Sequence, residues 1–137
     1  MLKPLYRETV HYQAMATARD PRRNVDKVYI VEMVEREGEP YERTFVARAR
    51  YGRNDGRKLR MIEIYATGSS PYTARWMAKD RMTEKASSYT PGGHRRRVSP
   101  EYTVVTDPLL CAVMVAADNA RQRIEQVSAE EAHDATA

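Results

Sequence analysis

Hydrophobic and polar residues alternate through Tyr41 to Tyr51. Phe45, Ala47, Ala49 and Tyr51 fall on one side of an extended chain, and Arg48 and Arg50 fall on the other. A period of two predicts a strand with one packed face and, here, one cationic face. Val28 to Val34, bounded by Asp26-Lys27 and Glu37-Gly38-Glu39-Pro40, is rich in β-branched residues and reads as a strand before it. Gly52-Arg53-Asn54-Asp55-Gly56 supplies residues that tolerate positive φ, so Arg57 to Ala66 is expected to return antiparallel. The resulting hairpin would carry Arg53 and Arg57 near its tip and Lys58 and Arg60 along its return arm.

At Thr67-Gly68-Ser69-Ser70-Pro71 the period changes, with Ser70 placed as an N-cap and Pro71 at the first helical position. The helix should run to about Ser87, laying Ala74, Ala78, Met82 and Ala86 on the sheet at i, i+4 spacing. Trp76 and Met77 stand outside that row, and a lone helical tryptophan is expected to pack in the core. Pro91-Gly92-Gly93 ends the helix, Tyr102 to Thr106 reads as a short last strand, and Asp107 and Pro108 open a second helix. Along it Leu110, Val113, Ala117, Ala120, Ile124 and Val127 alternate steps of three and four. Such a seam either lies on its own domain or pairs with a second copy. The expected fold class is therefore α+β: an antiparallel β-sheet with one helix packed on it, plus an additional C-terminal helix. Residues 1–106 would form the domain, residues 107–128 the C-terminal helix, and residues 129–137 an acidic tail expected to be disordered.

The 137 residues fit one compact unit with appendages. Apolar residues make up 42% and charged residues 31%, so an ordered, soluble protein is expected. Cys111 is the only cysteine, which excludes an internal disulfide and a multi-cysteine zinc cluster and fits a reducing, cytoplasmic setting. The N-terminal residues lack the basic-then-apolar pattern of a signal peptide, and no apolar run is long enough to span a membrane. His11, His94 and His133 are isolated, Gly92-Gly93 lacks the glycine and lysine of a phosphate-binding loop, and Cys111 sits in an apolar run as an inert core thiol would. No catalytic set, metal site or cofactor is expected.

Charge changes the picture more. The net charge is only +4, but Arg43, Arg48, Arg50, Arg53, Arg57, Lys58 and Arg60 fall within eighteen residues against the single acid Asp55. A second cluster, Arg95, Arg96 and Arg97, follows His94 and the glycine pair. Two such clusters in one small chain favour an anionic partner. Arg48 and Arg50, with Lys58 and Arg60 on the neighbouring strand, would line one surface able to hold phosphate without reading sequence. Glu32, Glu42 and Glu63 are alternatively placed to pair with some of these cations across the sheet. Arg95, Arg96 and Arg97 serve either as a second phosphate clamp or as a solvated loop.

Taken in order, Asn24-Val25-Asp26-Lys27-Val28-Tyr29, then Tyr51-Gly52-Arg53, Gly56, a strand to Ala66, a helix with Ala74 and Ala78, Lys85 and Ser88-Tyr89 resemble the WGR domain. This module occurs in DNA-dependent poly(ADP-ribose) polymerases and in bacterial WGR-domain proteins, and the resemblance covers about residues 11–90. Tyr51 stands in place of the family tryptophan, Ser88 in place of a glycine, and the turn after Arg53 departs from the usual pattern. The resemblance implies non-enzymatic DNA binding, with Tyr51 stacking on a sugar or base and Arg53 contacting phosphate. The alternative on the residues alone is that Tyr51 caps the hairpin's packed face and Arg53 is merely solvated. The leading expectation is DNA binding that is largely independent of sequence, at ends, nicks or single strands. A protein-interaction or homodimerisation module using the C-terminal helix, with the basic sheet meeting an acidic protein surface, is the alternative, and RNA is a third partner class.

Overall fold

The longest strand of the sheet is one that the hydrophobic pattern does not announce. The computed structural model describes residues 6–36, 44–68, 70–86 and 102–129, and within them β1 runs from Tyr6 to Asp20. It pairs antiparallel with β2 (Val25–Arg36), which pairs with β3 (Thr44–Arg53), which pairs with β4 (Arg60–Gly68). The other edge of β1 is shared by β5 (Thr103–Val104), antiparallel, and β6 (Ile124–Ser128), parallel. The fold is thus α+β with a mostly antiparallel six-stranded sheet.

β1 changes phase partway along. Val10 stands opposite Val34, but Tyr12 stands opposite Met33, so His11 is an extra residue in a β-bulge. Even-numbered Glu8 and Val10 therefore share a face with odd-numbered Gln13 and Met15. The opposite face collects Tyr12, Ala14 and Ala16 beside Tyr29, Val31 and Met33 of β2 and Ala47 and Ala49 of β3.

That second face is covered by α1 (Pro71–Ala86), which begins where Ser70 and Pro71 predict. The Ser70 hydroxyl accepts from the Thr73 N–H at 3.4 Å, and Ala74, Ala78 and Met82 are buried on the sheet. Alanines on both helix and strand permit a close approach that longer side chains would prevent. Trp76 corrects its expected role: it is 62% exposed, on the side of α1 away from the alanine row, as is Tyr72.

The other face is covered by α2 (Pro108–Gln122), with Cys111 and Val115 packed against Met15, Val28, Ile30 and Leu59. Its start is also as expected, since Asp107 caps it through the Leu109 N–H at 2.9 Å and Pro108 occupies the first turn. Its end is not. Arg123 takes a left-handed conformation (φ 60°) that closes the helix, and the chain then enters the sheet as β6. The expected seam is therefore cut: Leu110, Val113, Ala117 and Ala120 lie on the exposed side of α2, whereas Ile124 and Val127 belong to a strand. Residues 107–128 are consequently part of the same sheet-and-helix unit as β1. Among the described residues no helix is long and apolar enough to cross a membrane.

Candidate nucleic-acid interface

β1 ends, β2 begins, β3 ends and β4 begins at one end of the sheet, so the β1–β2 turn and the β3–β4 hairpin are neighbours. Asp20 caps the tight turn Pro21–Arg23 by accepting from the Arg22 N–H at 3.2 Å. Asn24 then adopts left-handed geometry (φ 54°), a conformation its short polar side chain tolerates. This turn presents its carbonyl and side-chain oxygens to Arg53, whose two terminal nitrogens donate to Asn24 O at 2.9 Å and Asn24 Oδ1 at 2.7 Å. The Asn54 N–H donates to Asp26 O at 2.9 Å and ties the hairpin to the start of β2. The two signatures that carried the family resemblance, Asn24 and Tyr51-Gly52-Arg53, are thereby in direct contact.

The rest of the hairpin is fixed from the α2 side. Leu59 is buried, its N–H donates to Asp118 Oδ1 at 2.9 Å, and its carbonyl accepts from Gln122 Nε2 at 2.7 Å. Gly52 sits at φ 156°, and a Cβ there would come within 3.3 Å of Leu59 Cδ2, so the strand end and the hairpin arm meet only through a glycine. Asp55 accepts from the Arg57 N–H at 3.1 Å and shapes the tip, while its carboxylate lies 3.8 Å from Arg57 Nε. Arg53, Arg57 and Lys58 are exposed on this fixed loop, and Arg22, Arg23 and Lys27 are exposed beside it. The second half of this cationic end is absent from the sequence-based expectation; the Arg22-Arg23 pair next to Pro21 is the signal that could have pointed to it.

Tyr51 is half-buried. Its ring lies nearly parallel to that of Tyr29, 5.9 Å away at 21°, and packs among the α1-side residues. Tyr29 is itself held by Tyr102 edge-on, by Lys85 over its ring at 5.0 Å, and by Arg81, which donates to its hydroxyl at 3.2 Å. Burial pushes the Tyr29 hydroxyl pKa up, against the opposing effect of Arg81. One side of the Tyr51 ring is thus committed to the fold.

Arg48 and Arg50 require a correction. They do project to the face opposite Phe45, Ala47, Ala49 and Tyr51, but α2 and β6 close that face, leaving them 1% and 0% exposed. Three buried carboxylates, Glu8, Glu32 and Asp118, meet three buried guanidiniums there, Arg36, Arg48 and Arg50. Arg48 donates to both oxygens of Glu8 and, at 3.0 Å, to Glu32 Oε1. Arg50 donates to Glu32 Oε1 at 2.6 Å and to Asp118 Oδ2 at 2.9 Å. Arg36 bridges Glu8 at 2.9 Å and Glu63 at 2.8 Å. Gln126 Nε2 donates to Glu8 and Glu32 at 3.1 and 3.0 Å, and Gln13 Nε2 donates to Glu32 at 2.9 Å. Burial drives the Glu32 carboxyl pKa up, but Arg48 and Arg50 outweigh it and hold the group at about 2. Burial opposes the charge on Arg48, and Glu32 with Glu8 more than compensates, raising its pKa. Both arginines are consumed in a neutral internal layer.

Arg60 is exposed but stands opposite Tyr51 in the β3–β4 register, on the other face from Arg48 and Arg50. The single cationic surface expected from Arg48, Arg50, Lys58 and Arg60 is therefore not formed. Of the acids anticipated to pair with these cations, Glu32 does so with Arg48 and Arg50, whereas Glu63 pairs with Arg36 instead; the acids Glu8 and Asp118 and the side-chain amides of Gln13 and Gln126 went unsuspected. Arg95, Arg96 and Arg97, Glu42 and Ser88-Tyr89 lie outside the described residues. Cys111 is buried, and burial, with Glu32 adding to it, pushes its thiol pKa up to about 11. No protein-family model, curated protein or solved structure matches the chain.

Proposed function

We propose that this protein is a non-enzymatic, cytoplasmic nucleic-acid-binding module of the WGR kind. It holds DNA with little sequence preference at the end of the sheet where the β1–β2 turn and the β3–β4 hairpin meet. The observation that carries this reading is the Arg53–Asn24 contact: it fastens together two turns that between them expose Arg22, Arg23, Lys27, Arg53, Arg57 and Lys58. Arg53 uses two of its five N–H groups on Asn24, and the others suit phosphate oxygens in the planar fork geometry of guanidinium. Tyr51 backs this site and offers its exposed edge to a sugar or base. The contacts are with backbone phosphate, so affinity should fall steeply with salt.

Fluorescence anisotropy with blunt, nicked and single-stranded DNA, and with matched RNA, at two salt concentrations tests the proposal. DNA binding that weakens with salt and weakens further in Arg53→Ala is expected. A folded protein that binds none of these forms at low salt refutes it, and a clear preference for RNA moves the assignment to that partner class.

A second reading, pairing of two copies through α2, has its own observation. Leu109, Leu110 and Val113 are 67%, 55% and 60% exposed. Sedimentation of the wild type beside Val113→Asp separates the two, since only an α2-mediated dimer should become monomeric.

A further inference from the structure

Between α2 and the hairpin lies a cleft of about 500 Å³, within the size range of small-ligand sites. Its sheet-side wall is Met15, Val28 and Leu59, and its helix-side wall is Leu110, Val113 and Met114. Three exposed arginines, Arg53 and Arg57 from the hairpin and Arg121 from α2, stand around it. Among the described residues that line it there is no carboxylate and no aromatic ring. Asp55 at the hairpin tip lies 3.8 Å from Arg57 Nε without lining the cleft, and Asp118 is turned inward to Arg50 and Leu59.

We infer that this cleft binds an amphipathic organic anion: a free aliphatic carboxylate whose chain fills the apolar walls and whose head group rests on the arginines. The two methionines supply unbranched, adaptable surface suited to a flexible chain. The lack of an aromatic wall argues against a stacked nucleobase as occupant, because base recognition in such sites leans on stacking. The arginines supply the charge complementarity: guanidinium pairs with carboxylate through two parallel hydrogen bonds, and desolvation by the apolar walls strengthens that contact. The cleft is assigned independently of nucleic-acid binding, although Arg53 and Arg57 belong to both surfaces.

The test is titration of the full chain with decanoate, below its micellar concentration and without nucleic acid, following the methyl NMR signals of Met15 and Met114. Decanol, which lacks the charge, and acetate, which lacks the chain, are run in parallel. Saturable shifts with decanoate, absent with acetate and at least about tenfold weaker with decanol, are expected. Arg121→Glu and Val113→Asp both alter exposed positions and should each weaken decanoate by about tenfold or more while leaving the unfolding midpoint in place. Equal responses to decanoate and decanol, or decanoate binding untouched by both variants, overturn the assignment. So does a protein that sediments as a dimer and shows no methyl shift, for then a second copy covers the cleft.

Discussion

Arg48 and Arg50 stand on the same strand as Arg53, and Arg57 follows in the loop, yet the two pairs have opposite fates. The first pair enters a face that α2 and β6 cover, where Arg48 meets carboxylates of β1 and β2 and Arg50 meets carboxylates of β2 and α2. The second sits where β3 ends, Arg53 on the last rung opposite Lys27 and Arg57 in the loop beyond, and both are exposed to water. A buried cation must be matched charge for charge, because desolvation of an unpaired ion exceeds what packing returns. An exposed one keeps its charge for a partner. Density of arginine in a sequence therefore says little about a binding surface until each side chain's cover is known.

The sharpest way to break this comparison is to truncate one arginine from each pair. Arg50→Ala strips a cation from Glu32 and Asp118 and is expected to destabilise by about 3–5 kcal/mol, as breaking a buried ion pair does. Arg53→Ala loses two exposed hydrogen bonds and should cost only about 1 kcal/mol, while weakening nucleic-acid binding. Urea unfolding of the two variants beside the wild type provides the check. Similar losses in both would show that burial is not what separates the pairs.

Acid should act on the buried pair next. Glu32 is held at about 2 when folded, against an ordinary value of 4.5. Its contribution to stability is therefore complete above the unfolded value and is lost as pH falls through the folded value. The loss from this group should begin near pH 4.5 and continue toward pH 2, on the order of a few kcal/mol. Denaturant midpoints for the wild type and Glu32→Gln across that range should converge as pH falls, the variant lacking the Glu32 component of the slope.

Gly52 joins the two regions, following the buried arginines and preceding the exposed one. Gly52→Ala places a Cβ at φ 156°, 3.3 Å from Leu59 Cδ2, and is expected to cost about 1–3 kcal/mol. Gly56→Ala, at φ 82° with open space around it, carries the backbone cost without the contact. Because the two glycines differ in φ, the Leu59 contact is isolated by also making Gly52→Ala in a Leu59→Ala background, and an unchanged urea-unfolding loss there would remove the contact from the account.

What the chain revealed in advance follows from what is local. The two-residue period of Phe45 to Tyr51 put Phe45, Ala47, Ala49 and Tyr51 on one face and Arg48 and Arg50 on the other, as they stand in the sheet, and Ser70-Pro71 and Asp107-Pro108 marked both helix starts. Periodicity does not tell which faces will be covered, so Arg48 and Arg50 read as a surface. β1 went unread because the bulge at His11 breaks its alternation and because Glu8 and Gln13, polar in sequence, are interior in space. Arg123 offered no glycine signal for the left-handed residue that ends α2. Asn24 and Arg53 were both singled out, but their contact spans 29 residues of sequence and depends on two turns sharing one end of the sheet.

The smallest effect on stability, and the most informative for the exposed pair, should come from removing charge at the hairpin tip. Arg57 and Lys58 are exposed, and the Arg57 side chain, at 89% exposure, gains little from Asp55. Replacing both by alanine should change the unfolding free energy by no more than about 0.5 kcal/mol. If each neutralises one phosphate, the slope of log affinity against log salt should become shallower by about 2, one for each contact. The slope is a better readout than affinity at one salt, because a slightly loosened hairpin could weaken binding without releasing fewer counterions. An unchanged slope in the double variant would take the hairpin tip out of the phosphate-binding surface and leave the Arg22, Arg23 and Lys27 side of the Asn24 turn to carry it.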